Sequence, residues 1–208
     1  MDISLTEPWR IFKEIIAGPW KTSGLDVQWK VITSGGYPFL AFQGSTSKTD
    51  WKNNFTFFVK PYKNQKSEML VHKGFAKAWK SCNDEVIDAF VELTKLLKKE
   101  PVIVGHSFGG AMAVLAGEDF FFRTGTKPTV ITFGAPKVVW GKKSFEHVNN
   151  CVFAQQFAER NDIVPFCPPI PGYRHISEWK IGDGFNVFKL FNPGKYHQIY
   201  GESGEYQK

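Results

Sequence analysis

The chain contains, near its middle, the stretch Pro101-Val-Ile-Val-Gly-His-Ser-Phe-Gly-Gly110. Its first four residues are apolar without interruption, a pattern typical of a short strand that is buried on both faces of a parallel sheet. The run 109–122, rich in Ala and large apolar side chains, favours a helix. The stretch therefore predicts a buried strand, a tight glycine-rich turn and a helix in direct succession.

A second helix is predicted immediately upstream, from Asn83 to Lys99. Apolar side chains recur there at helical spacing, with Val86, Phe90, Leu93 and Leu97 on one stripe. Acidic residues fall in the first turn and lysines in the last, as the helix dipole favours. We therefore expect one apolar face, packed against the sheet.

Five further runs of β-branched, aromatic or apolar residues predict strands: Val27–Thr33, Tyr37–Phe42, Phe55–Lys60, Thr129–Phe133 and Val152–Phe157. The first two flank a Ser-Gly-Gly turn sequence that suits a hairpin, and we expect Pro61 to end the third. Helices and strands alternate through the middle of the chain, which predicts an α/β fold with a largely parallel central sheet flanked by helices. Without a repeat or a linker-like stretch, residues 1–208 are predicted to form a single domain.

Composition narrows the function classes. The formal charge is +6, from 26 Lys and Arg against 20 Asp and Glu, and it is scattered in small groups rather than concentrated on one motif, so we expect no nucleic-acid partner. Cys82, Cys151 and Cys167 lack the close paired spacing of a zinc or redox site, so we expect them to be buried free thiols. We also expect no metal and no cofactor.

Targeting signals are not evident in the sequence. The first residues lack a basic segment followed by a continuous apolar one, and no run approaches the ~18 apolar residues of a membrane span. We therefore expect either a cytoplasmic protein or a mature secreted form, with no transmembrane segment.

Ser107 is the candidate nucleophile. It occupies the centre of a Gly-x-Ser-x-Gly pattern between a predicted strand and a predicted helix, which is the setting that this pattern requires. Small residues on either side permit the tight turn that projects the hydroxyl, and the helix aims backbone N–H groups at developing negative charge. Phe108, the residue after the nucleophile, would supply one such N–H group to an oxyanion hole.

A serine hydroxyl needs a base and an orienting carboxylate, which follow the serine along the chain in that order: acid, then His. Asp162 follows the last predicted strand and is the preferred acid, with Glu159 as the nearby rival. Both His175 and His197 follow the acid, so chain order alone leaves the base open between them.

Several motifs together resemble the fungal-type (class 3) lipase family of the α/β-hydrolase superfamily. Beside residues 105–110, the similar segments are Ala41-Phe-Gln-Gly-Ser-Thr-Ser-Lys-Thr-Asp-Trp51, Val71-His-Lys-Gly-Phe75, Thr132-Phe-Gly-Ala-Pro136 and Arg160-Asn-Asp-Ile-Val-Pro165. The resemblance runs from about residue 39 to residue 200. It implies an α/β-hydrolase fold and a serine hydrolase that cleaves carboxylic esters of lipids. We expect the enzyme to meet its substrate at a lipid–water interface, to act as a monomer and to need no cofactor.

The same resemblance assigns further roles. His197 lies in the His-x-x-Tyr setting of the family's triad base, whereas His175 matches a structural stretch, and Ser45 stands where the family has an oxyanion-hole residue. A lid is implied over about 46–58. Gln43 replaces the family's usual Arg, and Val138-Val-Trp140 departs from its usual Val-Gly, so lid behaviour and substrate size are the properties we expect to differ.

Two alternatives stay open at the level of the sequence. A small-ester carboxylesterase or a phospholipase-like acyl hydrolase would share this catalytic apparatus and differ in groove and lid. A catalytically silent lipid-binding domain would keep the fold without the chemistry, although every expected catalytic residue type is present.

Overall fold

A computed structural model describes residues 8–44, 58–63, 68–158 and 162–181. The helices are α1 (Pro8–Ile16), α2 (Lys73–Lys80), α3 (Asn83–Leu97), α4 (Phe108–Thr124) and α5 (Lys142–Cys151), with a 3₁₀ turn at Val164–Phe166. The strands are β1 (Lys21–Ser23), β2 (Val27–Ser34), β3 (Tyr37–Phe42), β4 (Val59–Lys63), β5 (Glu68–His72), β6 (Val102–His106), β7 (Thr129–Phe133), β8 (Val139–Trp140), β9 (Phe153–Ala158), β10 (Tyr173–Arg174) and β11 (Trp179–Ile181).

The strands form two sheets. The larger has the order β1-β2-β3-β6-β7-β9-β11, antiparallel at the β1–β2–β3 end and parallel from β3 to β11. The smaller is antiparallel, with the order β10-β8-β5-β4. A largely parallel central sheet flanked by helices is the α/β architecture that the sequence predicts.

Strand β3 shows how both faces of the large sheet are buried. Leu40 and Phe42 point into a core formed with α2 to α5, while Phe39 and Ala41 point into a second core with Ile15 of α1. Because successive side chains in a strand point to opposite faces, the uninterrupted apolar sequence of β3 reflects a strand covered on both sides.

Helix α4 lies at the centre of the molecule. All of its residues from Gly109 to Phe120 are buried, and it packs against β3, β6 and β7 as well as against its neighbouring helices. This helix carries the turn of Ser107 at its N-terminus, so the candidate nucleophile is fixed to one of the most firmly packed elements of the fold.

Helix α3 ends earlier than its sequence predicts, at Leu97 rather than Lys99. Lys98 adopts a left-handed conformation with φ of 50° and donates its N–H to the Thr94 carbonyl. This is a common way of closing a helix, although glycine is the usual residue at the left-handed position.

The prediction that Pro61 ends a strand is wrong. Pro61 lies in the middle of β4, opposite Leu70 of β5. The physical reason is the place of β4 at the edge of the smaller sheet, where a residue needs no N–H on its outer side. The predicted strand began at Phe55, and residues 55–57 lie outside the described part of the chain.

The three cysteines are free, as expected; Cys82 and Cys151 are buried and Cys167 is half-buried. No helix among the described residues is long and apolar enough to cross a membrane. Within the same ranges, no group of three or more His, Cys, Asp or Glu side chains could hold a metal ion.

Candidate active site

Ser107 sits in a strained turn between β6 and α4. Its φ of 56° and ψ of −126° lie in a region that residues with a side chain rarely adopt. The strain is held by hydrogen bonds from its own backbone: its N–H donates to the Phe133 carbonyl at 2.9 Å, and its carbonyl accepts from Gly110 at 2.9 Å. Such a conformation is typical of a serine presented at the end of a sheet.

Two glycines make the turn possible by allowing close backbone contacts. A Cβ at position 105 would lie 2.1 Å from the carbonyl oxygen of Gly109, and one at position 109 would lie 2.5 Å from that of Phe42. Both neighbours are backbone atoms, so a side chain at either glycine would force the backbone to shift. The Gly-x-Ser-x-Gly pattern thus has a direct steric cause in this fold.

Backbone hydrogen bonds join the ends of three adjacent parallel strands. Ser107, after β6, donates to Phe133 of β7, and Gly134, after β7, donates to Phe157 of β9 at 2.9 Å. The segment carrying the candidate acid therefore begins two strands away from the nucleophile, about 10 Å at the usual strand spacing. An imidazole between the two groups would span such a distance.

Asp162 is fully buried, with 0% of its surface exposed. Its Oδ1 accepts from the Val164 N–H at 2.9 Å, so the carboxylate also caps the short 3₁₀ turn. Burial of a carboxylate at the carboxyl end of the sheet fits a functional role better than an ordinary surface cap. Its rival Glu159 lies outside the described residues.

Of the candidate oxyanion donors, the structure describes Phe108 and the residue before Ser45. Phe108 opens α4, and helix geometry gives the N–H of a helix's first residue no acceptor inside the helix. The backbone at Gly44 approaches the nucleophile so closely that a Cβ there would lie 3.1 Å from Ser107 Cβ. Ser45 itself lies outside the described residues, and so does the lid expected at 46–58, apart from the exposed Phe58.

Four of the five histidines are described, and each has a structural neighbour. His72 caps α2, its Nδ1 accepting from Gly74 at 3.2 Å. The ring of His106 lies 5.9 Å from that of Phe12, and His147 pairs with buried Glu118 at 2.8 Å.

His175, the rival base, is used within the loop that carries the acid. Its Nε2 lies 2.7 Å from the Pro165 carbonyl. Because a carbonyl only accepts, this nitrogen carries the hydrogen and donates it. Burial lowers the pKa of His175 to about 4, which makes it a poor base near neutral pH. These contacts favour His197, which lies outside the described residues, and the choice of His197 stays a prediction.

Sequence reasoning missed the hydrogen bonds of Gln156 next to the loop that carries the acid. Gln156, on β9, is buried and binds both Thr132 and the backbone after His175. Its signal was a glutamine inside an apolar strand, which is a polar group that must find partners when buried.

A serine elbow above a largely parallel sheet, with an acid after a strand two places along, defines the α/β-hydrolase fold. Comparison with known proteins agrees. Residues 39–172, more than half of the chain, match the family described as Lipase (class 3), and the chain belongs to this family.

Individual relatives are fungal. A lipase of Rhizomucor miehei is 30% identical over 148 residues, which cover 67% of this chain and 40% of the relative. Secreted mono- and diacylglycerol lipase A of Penicillium cyclopium is 32% identical over 146 residues, covering 66% of this chain and 45% of the relative. Among solved structures, lipase II from Rhizopus niveus has a TM-score of 0.69 at 26% identity, covering 78% of this chain and 64% of that one.

The chain spans less than half the length of these two curated relatives. The family match, residues 39–172, holds the elbow, the loop of Asp162 and the central strands β6, β7 and β9 of the large sheet.

Proposed function

We propose that this chain is a serine hydrolase that cleaves carboxylic esters of lipids through an acyl-enzyme. The observation that carries the proposal is the strained elbow of Ser107, hydrogen-bonded through β7 to the strand that leads to Asp162. Strain of this kind is kept at functional sites, since the surrounding structure has to hold it in place. The names of the fungal relatives, a lipase and a mono- and diacylglycerol lipase, support lipid esters as the substrate class.

In the proposed reaction, His197 takes the proton of Ser107 as its Oγ attacks the ester carbonyl carbon. Asp162 holds the imidazole in the required tautomer and stabilises its positive charge. The tetrahedral intermediate then collapses, the alcohol leaves with the proton from His197, and the acyl group stays on Ser107. Water repeats the sequence with His197 as base and releases the carboxylic acid.

The oxyanion that forms on the carbonyl needs donors fixed in place beforehand. The Phe108 N–H, at the positive end of α4, and the backbone at Ser45 are the proposed donors. Loss of one such donor costs ~3–4 kcal/mol of transition-state stabilisation in related chemistry. The placement of Gly44 against Ser107 supports Ser45, because Ser45 directly follows Gly44 in the chain.

Replacing the nucleophile tests the proposal. Ser107→Ala removes the attacking oxygen, and we expect a folded protein whose turnover of a p-nitrophenyl ester is lower by on the order of 10⁴ or more. A fluorophosphonate should label the wild-type chain at Ser107 and should not label the variant. Folded Ser107→Ala protein with near-normal turnover would refute the assignment.

The wild-type chain also separates the alternatives. A silent lipid-binding domain would not react with the fluorophosphonate at Ser107. A lipase should prefer long acyl chains and gain activity on an emulsion, whereas a small-ester carboxylesterase should prefer short, dissolved esters. A phospholipase-like enzyme should favour a phospholipid over a triacylglycerol in matched emulsions.

The acting unit in this proposal is a monomer whose residues 1–208 form one domain, at work on a lipid surface. The large sheet supports one domain, since it joins strands from Lys21 to Ile181. Light scattering after gel filtration should give the mass of one chain, and a mass of two chains would contradict the monomer.

A further inference from the structure

The carbonyl of Pro165 lies in the acid loop, residues 162–168. The sequence of this loop gives the carbonyl no hydrogen-bond donor nearby in the chain. In a 3₁₀ turn each carbonyl accepts from the N–H three residues on. Ile163 and Val164 follow this rule, accepting from Phe166 at 3.1 Å and Cys167 at 2.9 Å. The next donor would be residue 168, which is a proline and has no N–H. Since Pro165 is buried, its carbonyl needs a donor from elsewhere in the chain.

His175 provides that donor. Its Nε2–H reaches the Pro165 carbonyl at 2.7 Å, from the segment that returns after β10. Burial holds the pKa of this imidazole at about 4, so the ring is neutral above that pH and keeps one N–H to donate. The bond therefore needs no charged ring in the pH range in which a histidine base is active.

Gln156 fixes the segment that carries His175. Its Oε1 accepts from the Ile176 N–H at 2.8 Å and the Ser177 N–H at 3.1 Å, and its Nε2 donates to Thr132 Oγ1 at 3.2 Å. Gln156 lies on β9, the strand that leads into the acid loop. One buried side chain thus ties the start of the loop to the segment that returns from it.

We propose that His175, held in place by Gln156, is a positioning residue for the carboxylate of Asp162. The connection is short: His175 holds Pro165, and the neighbouring Val164 N–H binds Asp162 Oδ1 at 2.9 Å. This inference rests on the proposed function, since the orientation of Asp162 affects turnover only where Asp162 orients a catalytic base. Loss of the donor lets the 3₁₀ turn relax and the carboxylate turn with it.

Turnover should fall while substrate binding is preserved, because the proposal gives none of these groups a contact with the substrate. Removal of a group that orients a catalytic or metal-binding side chain commonly costs about 10–100-fold in activity. We expect a drop of about this size in kcat, with KM within about threefold of wild type.

Three variants test the proposal. His175→Phe keeps a ring of similar size and loses the donor, while His175→Gln keeps an N–H near the same place. Lys137→Gln is the matched control, because Lys137 Nζ binds the same loop at the Pro168 carbonyl over a longer 3.4 Å. Turnover of a dissolved p-nitrophenyl ester is measured per Ser107 labelled to completion with a fluorophosphonate, so that unfolded protein does not count.

The expected result is a 10–100-fold loss of kcat in His175→Phe, recovery to within about fivefold in His175→Gln, and less than a twofold change in Lys137→Gln. The acid limb of the kcat/KM profile should keep its midpoint in His175→Phe, because the titrating base is another residue. A purely structural role would lower the labelled fraction and leave the kcat per labelled site unchanged.

Two outcomes overturn the inference while the proposed function stands. Wild-type kcat per labelled site in His175→Phe would show that the donor does not position the acid. Equal inactivity of both His175 variants, at the level of Ser107→Ala, would make His175 the base. If the wild-type chain neither hydrolyses the ester nor labels at Ser107, the proposed function fails first and the inference with it.

Discussion

The turn of Ser107 depends on Gly105, whose missing Cβ leaves room for the carbonyl of Gly109. A glycine of this kind can be predicted from the sequence once the flanking strand and helix are recognised. The donor role of His175 cannot, since it depends on a carbonyl ten residues away that lacks a local partner.

Gly105→Ala should disrupt the elbow. The added methyl would lie 2.1 Å from a backbone oxygen, so β6 and α4 must move apart and the Ser107 turn must relax. We expect ester turnover to fall by more than 100-fold and the free energy of unfolding to drop by about 1–3 kcal/mol, as overpacked cores show. Turnover and urea unfolding measure the two effects. Wild-type turnover in this variant would show that the elbow tolerates a wider turn.

His175 should make the stability of the protein depend on pH between about 4 and 6.5. Its pKa is lowered by burial from 6.5 to about 4, so in this window the unfolded chain binds a proton that the folded chain does not. The contribution of the neutral His175 ring to the free energy of unfolding is fully present above pH 6.5 and is lost as the pH falls toward 4. When the pH is lowered from 7 to 4.5, the free energy of unfolding should fall by about 2–3 kcal/mol more in wild type than in His175→Gln. Urea unfolding at both pH values measures this, and parallel losses would contradict the lowered pKa.

At the scale of elements, the local sequence pattern predicts the strands that consist of a continuous run of buried apolar residues. Strands β3 and β7 have the predicted bounds, because each is an apolar run with a turn or polar boundary at either end. Of the smaller sheet, the sequence predicts only part of β4, through the strand expected over Phe55–Lys60. Strands β8 and β10 have two residues each and pair across more than thirty residues of chain, so their positions depend on tertiary packing that leaves no periodic signal.

The end of α3 offers a test of local backbone strain. Lys98 closes this helix with a φ of 50°, where a side chain is disfavoured and glycine is not. Lys98→Gly should therefore raise the free energy of unfolding by about 0.5–1 kcal/mol. The control is Lys95→Gly, inside the same helix, which should lower it by about 1 kcal/mol. Urea unfolding of both variants measures these changes in the free energy of unfolding. A Lys98→Gly protein less stable than wild type would contradict the argument.

At the scale of the whole molecule, one buried carboxylate joins the smaller sheet to the central helix. Asp119 of α4 accepts on Oδ2 from Tyr62 of β4 at 2.7 Å, Trp79 of α2 at 2.7 Å and Asn83 of α3 at 3.3 Å. Burial raises the pKa of Asp119, and these three donors oppose the shift. The smaller sheet is thus attached to the central helix by a polar contact as well as by its apolar face.

Removing this carboxylate should weaken the whole fold rather than the site. Asp119→Ala leaves three donors without their acceptor, and each such group costs roughly 1–3 kcal/mol when buried. We expect the free energy of unfolding to fall by about 3 kcal/mol or more, and hydrogen exchange to rise first in β4 and β5. Tyr62→Phe removes one donor and leaves the carboxylate with two, so it should cost only about 1 kcal/mol. Ester turnover of the folded fraction should stay near that of wild type, because Asp119 lies three turns along α4 from Ser107. If Asp119→Ala and Tyr62→Phe unfold at the same urea concentration, the carboxylate does not act as the common acceptor, and the smaller sheet is held by its apolar contacts alone.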